Sequence, residues 1–95
     1  MAAGDFHWER DGKESVLYHH DGEQPNGEPT LALVSVVQFE DDGSFRVDHI
    51  KIGPRLLEMD ADVIAAKGRD AVEAAILAQA RKATSSALTQ GMTRQ

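Results

Sequence analysis

The stretch from Thr30 to Ile52 has the pattern of one long β-hairpin, and it constrains the fold more than any other part of the chain. Apolar residues fill both alternating sets of positions at its start, with Leu31 and Leu33 in one set and Val34 in the other. A strand that is apolar on both faces is typical of the centre of a sheet, with cover on each face. The sequence therefore predicts that this strand is central.

The turn of this hairpin determines its register. The segment 41–43 reads Asp-Asp-Gly, which suits a three-residue loop whose glycine adopts the left-handed conformation. The register that follows predicts Phe39 opposite Phe45, Val37 opposite Val47, Gln38 opposite Arg46, Val34 opposite Ile50 and Ser35 opposite His49. The face with the two phenylalanines is the predicted core face, and strict alternation places Leu31 and Leu33 on it.

A smaller hairpin precedes the long one. The segments 6–10 and 14–18 flank Asp11-Gly12, a favoured pair for a two-residue turn with positive φ at both positions. This turn pairs Arg10 with Lys13 and places Trp8 in the core. The segment 20–30 is dense in glycine, proline and other turn formers, so it is predicted to be a mobile loop, of a length that is often functional.

After Ile52 the pattern becomes helical. The pair at 53–54, Gly-Pro, ends the strand, and a short turn or helix is predicted through residues 56–59. Asp60 or Asp62 is suited to cap a further turn that Gly68 ends. The segment 70–73 then has capping-box spacing, Asp-x-x-Glu, and an alanine-rich amphipathic helix is predicted from Ala71 to about Leu88. The tail at residues 90–95 is predicted to fray.

These elements predict one α+β domain over residues 1–95. Its expected architecture is a four-stranded antiparallel sheet made of two hairpins, followed by a short helix and a C-terminal amphipathic helix on one sheet face. The chain contains no cysteine, which excludes disulfides, thiolate metal sites and a cysteine nucleophile. Neither a signal peptide nor a membrane span is recognisable, so the sequence predicts a soluble, cytoplasmic protein.

Charge is distributed unevenly along the chain. Residues 1–62 carry 14 acidic and 5 basic side chains, whereas residues 63–95 carry 2 acidic and 5 basic ones. An acidic sheet lacks the clustered Lys and Arg that phosphate contacts need, which argues against direct nucleic-acid binding. The same charge permits a decoy function, in which the protein inhibits a nucleic-acid-binding protein by presenting carboxylates in place of phosphates.

The histidines are the candidate polar or metal-binding residues. His19, His20, Asp21 and His49 form the predicted polar site, near the 20–30 loop. Adjacent histidines on a strand point to opposite faces, and the spacing matches no strong ligand motif, so neither a metal nor another cofactor is predicted. Ser35 opposite His49 lacks a third orienting group, so enzyme chemistry is not supported.

Three functions are compatible with these observations. The favoured one is a protein-binding or accessory module that acts through a sheet edge or helix on a partner protein or, as a homodimer, on itself. Its candidate contact residues are Val16, Tyr18, Arg81 and Lys82. The acidic decoy is the second, and the third is a small ligand-binding protein or enzyme with its site under the 20–30 loop.

Overall fold

The structure, a computed structural model, describes residues 5–93, with side chains described at 5–28 and 30–84. Five strands precede two helices: β1 (Phe6–Asp11), β2 (Glu14–Glu23), β3 (Pro29–Phe39), β4 (Phe45–Ile52), β5 (Arg55–Leu57), α1 (Ala61–Ala65) and α2 (Arg69–Thr93). The strands form one antiparallel sheet in the order β1-β2-β3-β4-β5. The fold is therefore α+β as predicted, with one strand more than expected, and β3 is the central strand.

The core lies between one face of the sheet and the two helices. Its fully buried apolar side chains are Leu17, Val34, Val37, Ile50, Val63, Val72, Ile76 and Ala80. Trp8 is half-buried and packs against this cluster, as do Phe39 and Phe45, whose ring centroids are 6.3 Å apart. The helices thus cover one sheet face.

The predicted turn of the long hairpin is confirmed. Glu40 N–H donates to the Ser44 carbonyl at 2.9 Å, and Gly43, with φ +91°, donates to the Glu40 carbonyl at 3.1 Å. The Asp42 carboxylate accepts from the backbone N–H of Ser44 at 2.9 Å, which fixes the loop. Phe39 pairs with Phe45, as the three-residue loop requires.

The same turn chemistry closes the β2–β3 connection, which corrects the prediction of a long loop over residues 20–30. β2 continues to Glu23 and β3 begins at Pro29. Gln24 N–H donates to the Glu28 carbonyl at 2.8 Å, and Gly27 takes φ +88°. The Asn26 side chain accepts from the Glu28 N–H at 3.1 Å, as Asp42 does in the other loop. The dense turn formers therefore encode a tight hairpin.

The turn of the first hairpin lies one residue later than predicted, which shifts the partner of each strand residue by two positions. Asp11 pairs with Glu14, so the turn residues are Gly12 and Lys13. In the described part of the chain positive φ occurs only at glycines, and Gly12 has φ +59° at the first turn position. A turn of this kind requires glycine only there and avoids the strain of an aspartate at positive φ. A shift of two keeps every side chain on its predicted face.

A β-bulge in β3 changes the predicted faces of its first half. Leu17 pairs with Ser35 and Tyr18 with Leu33, so Val34 is the extra residue of β3. Val34 is 1% exposed in the core, whereas Leu31 and Leu33 are exposed at 39% and 44%. The prediction that the two leucines face the core was therefore wrong, because strict alternation fails at a bulge.

A second irregularity, in β4, corrects the pairing of Ser35. Val37 pairs with Val47 as predicted, but the next pair is Ser35 with Ile50, one residue beyond His49. Two residues of β4 therefore lie opposite Val36. The shift brings Ile50 to the core face, where it is fully buried.

The segment after β4 forms a strand, which corrects the predicted turn or helix at residues 56–59. Gly53, with φ +57°, turns the chain so that Ile52 pairs with Arg55. Asp60 then caps α1 by accepting from the Val63 N–H at 3.1 Å, as predicted for one of two candidate aspartates. A glycine that starts a two-residue turn permitted the extra hairpin.

Helix α2 extends beyond both ends of the predicted helix. Because it begins at Arg69, Asp70 lies in its first turn and is not the predicted N-cap of a capping box. Val72, Ile76 and Ala80 are buried on one side, as the predicted apolar arc requires. Residues 90–93 of the predicted fraying tail belong to the helix, and 94–95 lie outside the described residues. No helix within residues 5–93 is long and apolar enough to span a membrane.

The bulge can be tested by comparing two neighbouring substitutions. We expect Val34→Ala to lower the free energy of unfolding by about 2 kcal/mol, because it removes buried methyl groups. Leu33→Ala should cost less than about 1 kcal/mol, because that side chain is largely exposed. Urea unfolding at low protein concentration, followed by Trp8 fluorescence, measures both. The reverse order of costs would show that β3 follows strict alternation.

Candidate functional site

A buried polar cluster joins the start of α2 to the first hairpin. Glu73 is 4% exposed, and both of its carboxylate oxygens are hydrogen-bonded. Arg10 Nε donates to Glu73 Oε2 at 3.0 Å, and a second guanidinium nitrogen of Arg10 donates to Oε1. The Ser15 hydroxyl donates to Oε2 at 2.5 Å. This carboxylate therefore holds β1 and β2 against the helix.

Arg69 reinforces the same junction from the first residue of α2. Its guanidinium donates to the Gly12 carbonyl at 2.8 Å and to the Glu14 carbonyl at 3.0 Å. It also lies over the Phe39 ring, 5.2 Å from the centroid, in a cation–π contact. Beneath the start of α2, Arg10 thus binds the Glu73 carboxylate and Arg69 binds the backbone carbonyls of Gly12 and Glu14.

The electrostatics of this cluster favour an ionised Glu73. Desolvation by burial acts to raise the pKa of the Glu73 carboxyl, but hydrogen bonds from Arg10 and Ser15 and the charges of Arg10 and Arg69 outweigh it. The net result is a pKa below the usual value of 4.5. Glu73 is enclosed and fully engaged, which suits a structural role rather than proton transfer.

The structure does not bring together the four residues of the predicted polar site. His19 Nδ1 lies 2.8 Å from an Asp21 carboxylate oxygen, and the His19 ring packs against Phe6 at 4.8 Å between centroids. His20 is 2% exposed, and both of its ring nitrogens lack a hydrogen-bond partner within the described residues. His49 is on β4, separated from β2 by β3, with Nδ1 3.4 Å from Asp48.

Metal-ligating groups do not converge elsewhere in the described part of the chain. Among residues 5–93, no three His, Asp or Glu side chains are placed to hold a metal ion. The acidic turn residues are engaged locally: Lys13 Nζ lies 2.6 Å from Asp41, and Asp42 accepts from the Ser44 hydroxyl at 2.7 Å. The Ser44 hydroxyl and backbone N–H accordingly lower the pKa of the Asp42 carboxyl.

The predicted contact residues lie on opposite layers of the fold. β2 is paired on both sides, so the prediction of an open sheet edge at Val16 and Tyr18 was wrong; the edges are β1 and β5. These two side chains instead belong to the face turned away from the helices, because their neighbour Leu17 is in the core. Arg81 and Lys82 are exposed on α2.

The uncovered sheet face carries an apolar surface, which we term the open-face patch. It consists of Val16, Tyr18, Leu31, Leu33 and Val36 on the two central strands β2 and β3. Val16 pairs with Val36, and Tyr18 pairs with Leu33, so the patch is continuous across both strands. Its leucines were predicted on the core face because a bulge breaks the alternation of β3, although the two-sided apolar pattern of this strand was a signal for an apolar second face.

Charged side chains flank this patch on the outer strands of the same face. Asp11 pairs with Glu14, Glu14 with Gln38, and Gln38 with Arg46, so one row crosses four strands. Gln38 donates to the Glu14 carboxylate at 2.5 Å, whereas Asp11 and Arg46 are exposed. The row is acidic at the β1 end and basic at the β4 end.

Comparison with known proteins gives no match to a family model, a curated protein or a solved structure. The function is therefore argued from the surfaces of this chain. Two features stand out, the polar cluster under α2 and the open-face patch. In the first, Glu73 and Ser15 are buried and the carboxylate oxygens are already hydrogen-bonded within the chain, so the second is the candidate functional site.

The role assigned to Glu73 gives a pH-dependent prediction. Because its folded pKa lies below 4.5, its contribution to stability is present above that pH and is lost as pH falls through the folded value. We expect Glu73→Gln to cost about 1–3 kcal/mol at pH 7 and to flatten the pH dependence below 4.5. Urea unfolding across pH measures both. Glu23→Gln, at an exposed position, is the control, and an equal effect from it would contradict the assignment.

The unpartnered imidazole of His20 gives a second prediction. A buried polar group without partners costs free energy, so His20→Leu, which keeps a similar volume, should leave stability unchanged or raise it by about 1 kcal/mol. Thermal unfolding of the two proteins measures the difference. A clear loss of stability would mean that the imidazole has a bound partner and is not simply enclosed.

Proposed function

We propose that this chain is a protein-binding module and that its contact surface is the open-face patch. The observation that carries the proposal is that β3 is apolar on both faces, while the elements within residues 5–93 cover only one. Leu31 and Leu33 remain 39% and 44% exposed. In antiparallel sheets the solvent-facing side normally carries polar residues, so an apolar centre is typical of a face that another surface covers.

The energetics favour contact through the face of the sheet. Complete burial of Leu31 and Leu33 by a partner contributes roughly 1 kcal/mol for each side chain. The sheet edges offer less, because β5 has three residues and β1 ends in charged residues. Contact through the open face therefore replaces the edge contact that the sequence favoured.

The two other functions have less support. The turn over residues 24–28 is a tight hairpin loop, which provides no lid for a ligand site beneath it. A surface groove of about 580 Å³ lies instead between Phe45, Met59 and Ile64, and its lining carries no histidine. The acidic decoy stays a prediction from charge, and some carboxylates it would use are engaged, as Asp41 is by Lys13.

Site-directed photo-crosslinking tests the proposal. The variant Leu33→benzoylphenylalanine places the crosslinker in the patch, and Ala78→benzoylphenylalanine places it at an exposed position on α2 as the control. We expect irradiation of cells that express the full chain to give a discrete crosslinked protein from position 33 but not from position 78.

A second substitution tests whether the crosslinked product depends on the open-face patch. Adding Leu31→Glu puts a charge in the apolar surface, so the product from position 33 should disappear while the circular dichroism of the folded chain is unchanged. Equal products from positions 33 and 78, or a product that tolerates Leu31→Glu, would contradict binding through the open face.

A further inference from the structure

We infer that the partner of the open-face patch is a second copy of this chain, packed face to face about a two-fold axis that runs parallel to the strands between β2 and β3. This inference rests on the proposed function and names the occupant of its contact surface. Isologous two-fold contacts require one surface that complements itself. The charges of Asp11 and Arg46 and the apolar pairs at the centre of this face meet that requirement.

The charged row is complementary to itself about this axis. In the order β1, β2, β3, β4 it reads Asp11, Glu14, Gln38, Arg46, which is acidic at one end and basic at the other. A two-fold axis between β2 and β3 exchanges β1 with β4 across the interface. Asp11 of each copy then faces Arg46 of the other, and the symmetry forms this ion pair twice.

The two charges at the ends of the row have no such partner within one chain. Three strand spacings separate them, which is about 14 Å. Neither the Asp11 nor the Arg46 side chain forms a hydrogen bond or ion pair among the described residues. Within one copy they are therefore available to an external partner, and they complement each other only between copies.

The apolar patch obeys the same symmetry. Val16 on β2 pairs with Val36 on β3, and Tyr18 pairs with Leu33. The axis exchanges β2 with β3. Val16 of one copy therefore faces Val36 of the other, and Tyr18 faces Leu33. Apolar side chains then face apolar side chains in these two rows, as in aligned sheet packing about 10 Å apart. Leu31 pairs with His20 and therefore faces His20 of the second copy.

The next row is less favourable, because Glu9 pairs with Val16, Val16 pairs with Val36, and Asp48 and His49 lie opposite Val36, so Glu9 of each copy faces Asp48 and His49 of the other. A histidine lies beside each of these carboxylates. Glu9 on β1 lies 3.9 Å from His7, and Asp48 on β4 lies 3.4 Å from His49. Lys51 adds a second cation to the β4 side. The β4 flank is therefore the more basic of the two, and the β1 flank is the more acidic.

Charge reversal on the purified full chain tests the inference. Sedimentation velocity from about 1 to about 200 μM covers the range expected of a weak or moderate dimer. We expect the wild-type chain to dimerise, and we expect Asp11→Arg and Arg46→Glu each to weaken dimerisation by about tenfold or more, because each places like charges opposite one another. The double variant restores opposite charges and should return to within about threefold of the wild type.

The controls separate this inference from the proposed function. Arg81→Glu reverses an exposed charge on α2 and should leave dimerisation unchanged. A wild-type chain that is monomeric across the whole range overturns the inference, as does a double variant that is no better than the single ones. If position 33 still crosslinks to a different protein, the binding function stands without the homodimer; if it crosslinks to nothing, both fail.

Discussion

The extra residue in β3 determines what each face of the sheet presents. At Val34 the alternation of side chains slips, so that this valine and Val37 both enter the core. The same slip turns Leu31 and Leu33 to the opposite face. Without the bulge those leucines would lie under the helix, and the open face would present Ala32 and Val34. The bulge thus determines which apolar side chains each face presents.

The polar cluster at the start of α2 determines which face is covered. Glu73 and Arg69 hold the helix to the first hairpin by directional hydrogen bonds, and Val72 and Ile76 fill the core beside them. A buried carboxylate is tolerated because two arginines and a hydroxyl compensate its desolvation. Since these partners lie on one side of the sheet, the helix has no equivalent site on the other side, and the second apolar face stays open.

Much of this fold was predictable, and the errors have a common origin. The three-residue loop at 41–43, the central position of β3 and the apolar side of α2 follow from local rules about glycine, alternation and helical period. The bulge at Val34, the turn at Gly12 and the strand at Arg55–Leu57 each depend on which of several similar registers forms, and these registers differ by only one or two residues. Tertiary packing determines which register forms. Glu73 was assigned to a capping box because the sequence contains no signal that Arg10 would reach it across more than sixty positions.

The open-face patch also combines a feature that the sequence pattern predicts with one that only packing determines. The two-sided apolar character of β3 predicted cover on both faces, and the fold supplies one helical layer. The two-fold contact that we infer through the open face would supply a second layer from an identical chain and would bury both apolar surfaces at once. It would also couple folding to association, so that the apparent stability of the chain rises with its concentration. The apolar residues of this small chain are divided between the two faces of the sheet. That division leaves the core modest and the open-face patch exposed.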